Sequence, residues 1–166
     1  MAKAGSLRDI LGAENKEQRE KIVELLKTAY WMEIETTMNY IQASTNLDGV
    51  RAKEVAESLS DDVQEELGHA QQFAQRIYDL YGTVPGSAEF SAEQRMLQPP
   101  EKSTDDVQVI KGVLDAEKTG IEHYNKIIEA TDGIDWVTQD MVIEILQEEQ
   151  SHYREFESFR LEYEGS

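Results

Sequence analysis

The chain of 166 residues contains no cysteine. Disulfides, thiolate metal sites and thiol nucleophiles are thereby excluded, and the absence accords with a reducing compartment. Only three prolines occur, Pro85 and the adjacent Pro99-Pro100, so long uninterrupted helices are allowed on either side of them. No apolar run approaches the ~20 residues of a membrane span and no signal-like hydrophobic segment opens the chain, so a cytoplasmic protein without membrane contact is expected. Basic residues are scarce: 16 Lys and Arg stand against 34 Asp and Glu, a net charge of −18. A chain this acidic binds phosphate backbones poorly, so nucleic acid is not an expected partner. Lys3 and Arg8 are the only cations of the first 15 residues, too few for a DNA-binding arm.

What the chain does contain, it contains twice. Glu65-Glu66-Leu67-Gly68-His69 is echoed by Glu148-Glu149-Gln150-Ser151-His152. A residue and its third successor lie about 60° apart around an α-helix, one turn along, so each Glu-x-x-His points a carboxylate and an imidazole the same way. Glu33 is followed by Tyr40 as Glu117 is followed by Tyr124, and seven residues are close to two turns. The second set follows the first at a spacing of 84 for the Glu and Tyr pairs and 83 for the Glu-x-x-His pairs. One Glu-x-x-His is unremarkable in a glutamate-rich chain. Two at matched spacing, each with its Glu and Tyr, indicate two similar helical hairpins.

The apolar pattern agrees. Residues 1–15 read as a tail with one short helical turn. Residues 16–163 read as an all-α four-helix bundle, and 164–166 as a second tail. Ile22, Leu25, Leu26, Ala29, Tyr30, Tyr40 and Ile41 set a helical stripe from Lys16 to Asn46 that includes Glu33. Glu35, about 200° from Glu33, is expected in solvent. A second helix is expected from about Val50 to Tyr81, stopped by Gly82. The stretch from Gly82 to about Thr104 reads as one long crossover between helices 2 and 3, with a short helix over Ala88–Leu97. The third helix is expected to be capped by Ser103 or Thr104, with Asp105 and Asp106 in its first turn, and to run to about Ala130, with Gly133 after it. The fourth starts near Asp135 or Thr138 and reaches Tyr163. His123, about 240° from Glu117, should miss the inner face and lie at the surface or an interface. Trp31 and Trp136 read as packing residues.

Ionised groups resist leaving water, so carboxylates and histidines on the inner face of a bundle need a shared partner. Two divalent cations supply one, since four carboxylates carry −4 and two such ions +4. Glu66 and Glu149 are assigned as bridging ligands, with Glu33 and His69 completing one ion's set and Glu117 and His152 the other's. Tyr40 and Tyr124 are placed to bond liganding carboxylates. Glu65 and Glu148 are placed to accept the free ring N–H of the opposite histidine. Oxygen and nitrogen donors suit iron and would also accept manganese or zinc.

With these residues in place, the chain from about Lys16 to Tyr163 resembles the ferritin-like superfamily, with a bacterioferritin-type di-iron centre in a Dps-like (dodecameric ferritin) subunit. The resemblance rests on Glu33…Tyr40, Glu65–His69, Glu117-Lys118-Thr119-Gly120 and Asp140–His152. It implies a ferroxidase, which oxidises two ferrous ions per subunit with hydrogen peroxide or dioxygen and collects ferric mineral inside a cage. Bacterioferritins place a haem-ligating methionine directly after the first bridging Glu. Leu67 stands there, so haem is not expected. Only 14 residues follow His152, and the crossover is long; both features resemble the 12-subunit Dps architecture, although the cysteine pair of its di-iron relatives is absent. The alternative is a small-oligomer di-iron or di-manganese peroxidase or catalase of rubrerythrin-like type, without storage.

Overall fold

The computed structural model describes residues 9–165; Lys3, Arg8 and Ser166 lie outside them. Four long helices carry the fold: α1 Lys16–Asn46, α2 Ala52–Asp79, α3 Asp106–Thr131 and α4 Trp136–Glu164. α1 packs chiefly on α2, and α3 on α4. Short turns close these hairpins, and residues 80–105 cross from the end of α2 to the start of α3. No strand occurs among the described residues. This is the four-helix bundle with one long crossover that the periodicity predicts.

Several local expectations change. The crossover holds only a 3-10 turn over Ser87–Glu89 rather than a helix to Leu97, and Asp105, not Ser103 or Thr104, caps α3 through Gln108 N–H. α2 ends through Tyr81 in the left-handed region (φ 62°), one residue before Gly82. Gly82 is needed for a different reason: a Cβ there would lie 2.7 Å from Val23 Cγ1. Of the presumed tail, Ile10 is buried in the core, and Arg19 holds the strap by donating to the carbonyls of Ile10 and Gly12. At the other end, α4 continues through Glu164. Trp136, the first residue of α4, is 69% exposed, so it is not a packing residue. Trp31 is half-buried.

Glu35 also departs from expectation. It is buried, because the crossover folds over that side of α1 and offers its carboxylate the backbone N–H groups of Glu93 (2.8 Å) and Gln94 (2.9 Å). Gln94 bridges Asn39 and Thr36. On the far side the crossover presses on α3 at Gly112, where a Cβ would lie 2.6 Å from the Met96 carbonyl oxygen. A helical period cannot report a contact made by an irregular segment.

The core divides in two. One cluster gathers Ile22, Leu26, Phe73, Ile77, Ile127 and Val142; the other gathers Val55, Leu59, Ile110, Val113 and Phe156. Along every helix the switch from one cluster to the other falls at the predicted site residues. The polar groups therefore form a layer between two apolar blocks that keep water from it.

Candidate metal centre

α1 brings Glu33 to this layer, α2 Glu66 and His69, α3 Glu117, and α4 Glu149 and His152. All six are buried, from fully for Glu66 to 7% exposed for His152. They form two overlapping groups, Glu33–Glu66–His69–Glu149 and Glu66–Glu117–Glu149–His152, whose offered ligand atoms lie within 4.8 Å of one another. Glu66 and Glu149 belong to both. His69 Nδ1 is 3.1 Å from Glu149 Oε1, and His152 Nδ1 is 3.4 Å from Glu66 Oε1.

Among the described residues nine buried side-chain atoms lack a hydrogen-bond partner, and six are here: both oxygens of Glu66, one oxygen each of Glu117 and Glu149, and Nδ1 of both histidines. Each such atom costs about 1–3 kcal/mol, so six in one layer strain a fold whose whole margin is only ~5–15 kcal/mol. All six are lone-pair donors. A divalent cation for each group would satisfy them together, and this oxygen and nitrogen set suits iron, manganese or zinc.

Electrostatics carry the same message. Burial first, and then the neighbouring carboxylates, push Glu33, Glu66 and Glu117 well above the usual carboxylate range. Burial and the charge of Glu33 push Glu149 to about 8. The charge of Glu66 raises Glu33, and that of Glu149 raises Glu117. Burial would lower His152, but the charges of Glu117, Asp62, Glu149 and Glu65 outweigh it and raise its pKa.

The tyrosines cross between the hairpins. Tyr40 on α1 donates to Glu117 on α3, and Tyr124 on α3 donates to Glu33 on α1. Burial, and then the carboxylate each one faces, hold both phenols well above their ordinary value and so in the donor form. The outer ring nitrogens meet carboxylates of the opposite helix: His69 Nε2 is 2.6 Å from Glu148 Oε2, and His152 Nε2 is 3.4 Å from Glu65 Oε1.

Two polar residues behave otherwise than the helical period suggests. His123 does miss the centre, but it is buried rather than at the surface, its Nε2–H donating to the Leu25 carbonyl at 2.8 Å. α1 covers that side of α3, which a wheel for α3 alone cannot show. Asp62 went unassigned in the sequence, yet its Oδ1 lies 3.7 Å from His152 Nε2 and its Oδ2 is buried without a partner. Burial raises its pKa to about 6. Its position four residues before Glu66, and so on the same helix face, was the available signal.

Residues 23–162 match the Ferritin family, described as a ferritin-like domain. A "DNA protection during starvation protein" of Pyrococcus furiosus is 32% identical over 141 residues, covering 83% of this chain and 76% of that protein. A bacterioferritin of Desulfovibrio desulfuricans is 28% identical over 148 residues, covering 88% and 78%. Among solved structures, the DPS protein of Vibrio cholerae superposes with a TM-score of 0.80 at 16% identity, covering 96% of this chain and 98% of that one. A dodecameric thioferritin of Bacteroides fragilis gives 0.75 at 21% identity, covering 87% of each. The doubled helical hairpin, its buried carboxylate–histidine layer and these similarities agree, and the chain belongs to the ferritin-like family.

Proposed function

We propose that the protein is a ferroxidase that takes two ferrous ions per subunit as substrate, oxidises them with hydrogen peroxide or dioxygen, and stores the ferric product in a cage of identical subunits, twelve in number. The observation that carries the reading is the set of six buried, unpartnered lone-pair atoms in two overlapping groups. The relatives named a DNA protection during starvation protein and a bacterioferritin support the storage and protection role, and the thioferritin described as dodecameric supports the cage.

In this reading Glu66 and Glu149 offer oxygens to both ions. Glu33 with His69 Nδ1, and Glu117 with His152 Nδ1, complete the two sets. Tyr40 and Tyr124 keep Glu117 and Glu33 oriented. Glu148 and Glu65 hold the outer ring nitrogens, so that each Nδ1 presents its lone pair inward. The apolar blocks above and below exclude bulk water. With peroxide, each ferrous ion loses one electron; the two electrons break the O–O bond, and two protons complete two waters.

Anaerobic ferrous titration followed by addition of oxidant tests the proposal. Two ions bound per subunit, oxidation on adding peroxide or dioxygen, and loss of both in Glu66→Ala are expected. Size exclusion tests the cage. Rapid peroxide turnover by a monomer or dimer, without ferric accumulation, would favour the small-oligomer peroxidase instead.

A further inference from the structure

Three glycines lie inside the long helices: Gly68, Gly112 and Gly120. Packing demands only Gly112, where a Cβ would collide with the crossover. Gly120 is buried as well, yet a Cβ on it would meet nothing closer than Tyr124 Cε2 at 3.7 Å and the Tyr124 hydroxyl at 3.9 Å. Those are ordinary van der Waals contacts. A glycine inside a helix is less stable than an alanine, because it loses more chain freedom on folding and buries no methyl. The fold would hold together better with alanine here, so packing does not account for the unfilled volume beside the Tyr124 hydroxyl.

The surroundings of Gly120 suggest what uses it. This face of α3 meets α1, since His123 bonds the Leu25 carbonyl and Tyr124 bonds Glu33. One turn before Gly120, Ala116 lines a cavity of about 250 Å³ between α1, α3 and the crossover, together with Thr119 and with Met32 of α1. Met32 and Ala116 directly precede Glu33 and Glu117 in the chain. Gly120 links cavity and centre: it follows the lining Thr119 in the chain and borders the Tyr124 hydroxyl in space. The cavity's acids are Glu35, engaged by the crossover's N–H groups, and the exposed Glu93 and Asp115. The lining residues nearest Gly120 along α3, Ala116 and Thr119, are uncharged.

Resting on the ferroxidase reading above, we propose that the small neutral oxidant, hydrogen peroxide or dioxygen, reaches the centre along this α1–α3 seam, and that the missing side chain of Gly120 keeps the way open and sets its width. A cation passing Ala116 and Gly120 would leave its water and find no ligand in exchange, which is costly; a neutral O–O molecule loses little there. The α2–α4 side has the opposite character. There Glu65 and Glu148, both exposed, reach the outer nitrogens of His152 and His69 and offer a cation successive ligands. Oxidant and ferrous ion thus approach the layer from different sides.

The test uses the assembled protein and Gly120→Ala. This variant should melt about 2–4 °C higher than the wild type without cations, as an alanine in a helix interior allows. It should bind two Zn²⁺ per subunit as the wild type does. Oxidation of anaerobically loaded ferrous ion by peroxide should nevertheless slow by about tenfold or more, the scale of one added methyl in a tight space. Crystals of the cation-free wild type under xenon, an apolar probe of dioxygen's kind, should show a xenon atom in the seam beside Gly120 that Gly120→Ala loses. Oxidation at the wild-type rate, a slowing matched by weaker Zn²⁺ binding, or a wild-type seam empty of xenon would overturn the inference. A Gly120→Ala protein that fails to assemble would overturn it too, since packing would then require the glycine. A wild type that binds no cation pair would instead remove the ferroxidase reading beneath, so the two failures are told apart.

Discussion

Loading the centre with divalent cations should expel protons. Glu33 and Glu117 each accept a tyrosine hydroxyl, whereas Glu66 and one oxygen of Glu149 have no donor at all. Two unit charges 4 Å apart repel by about 4 kcal/mol at an effective dielectric constant of 20. Four ionised carboxylates in this layer would thus exceed the ~5–15 kcal/mol that holds a domain together. The cation-free protein is therefore expected to keep protons in this layer at pH 7. We expect at least about two protons released per subunit when two Zn²⁺ or Mn²⁺ bind at pH 7, read by calorimetry in buffers of different ionisation enthalpy. The same linkage sets the stability of the cation-free protein. The folded pKa values lie above the unfolded 4.5, so the folded state binds more protons in between. That contribution is fully present below 4.5 and is lost as pH rises through the folded value, about 8 for Glu149. Cations in place of protons reverse the loss. At 100-fold excess over Kd each ion adds about 2.7 kcal/mol, so Tm should rise on the order of 10 °C for two. Release of less than one proton per subunit, or a cation-free protein that gains stability between pH 5 and 8, would refute this reasoning.

Other outcomes can be checked singly. Tyr124→Phe removes the hydroxyl that donates to the buried Glu33 carboxylate and should cost about 1–3 kcal/mol in urea unfolding; an unchanged midpoint would show that the hydroxyl does not matter. Arg76 donates to Asp135 and Thr138, tying α2 to the cap of α4. Arg76→Met leaves Asp135 buried without its partner and should cost about 3–5 kcal/mol, more than Asp135→Asn, which removes the charge instead. Gly112→Val forces a side chain against the Met96 carbonyl and should cost at least about 1–3 kcal/mol. Faster amide exchange in the crossover than in α3 would locate the damage; a protein of wild-type stability would show that the crossover gives way freely.

Much of this protein is written in its repeat. A residue and its third, fourth or seventh successor share a helix face whatever surrounds the helix, so the bundle, its crossover and the six groups of the central layer were legible from spacing alone. Neither Glu35 nor His123 could be placed that way. Each is rotated off the inner stripe of its own helix, and whether that side meets water depends on the crossover in one case and on α1 in the other. The exchange of tyrosines between hairpins, Tyr40 to Glu117 and Tyr124 to Glu33, is likewise a matter of how the two hairpins dock. Sequence alone determined which chemical groups share a helix face. Only the tertiary structure decided how far apart groups on different helices lie, because inter-helix distances are set by packing.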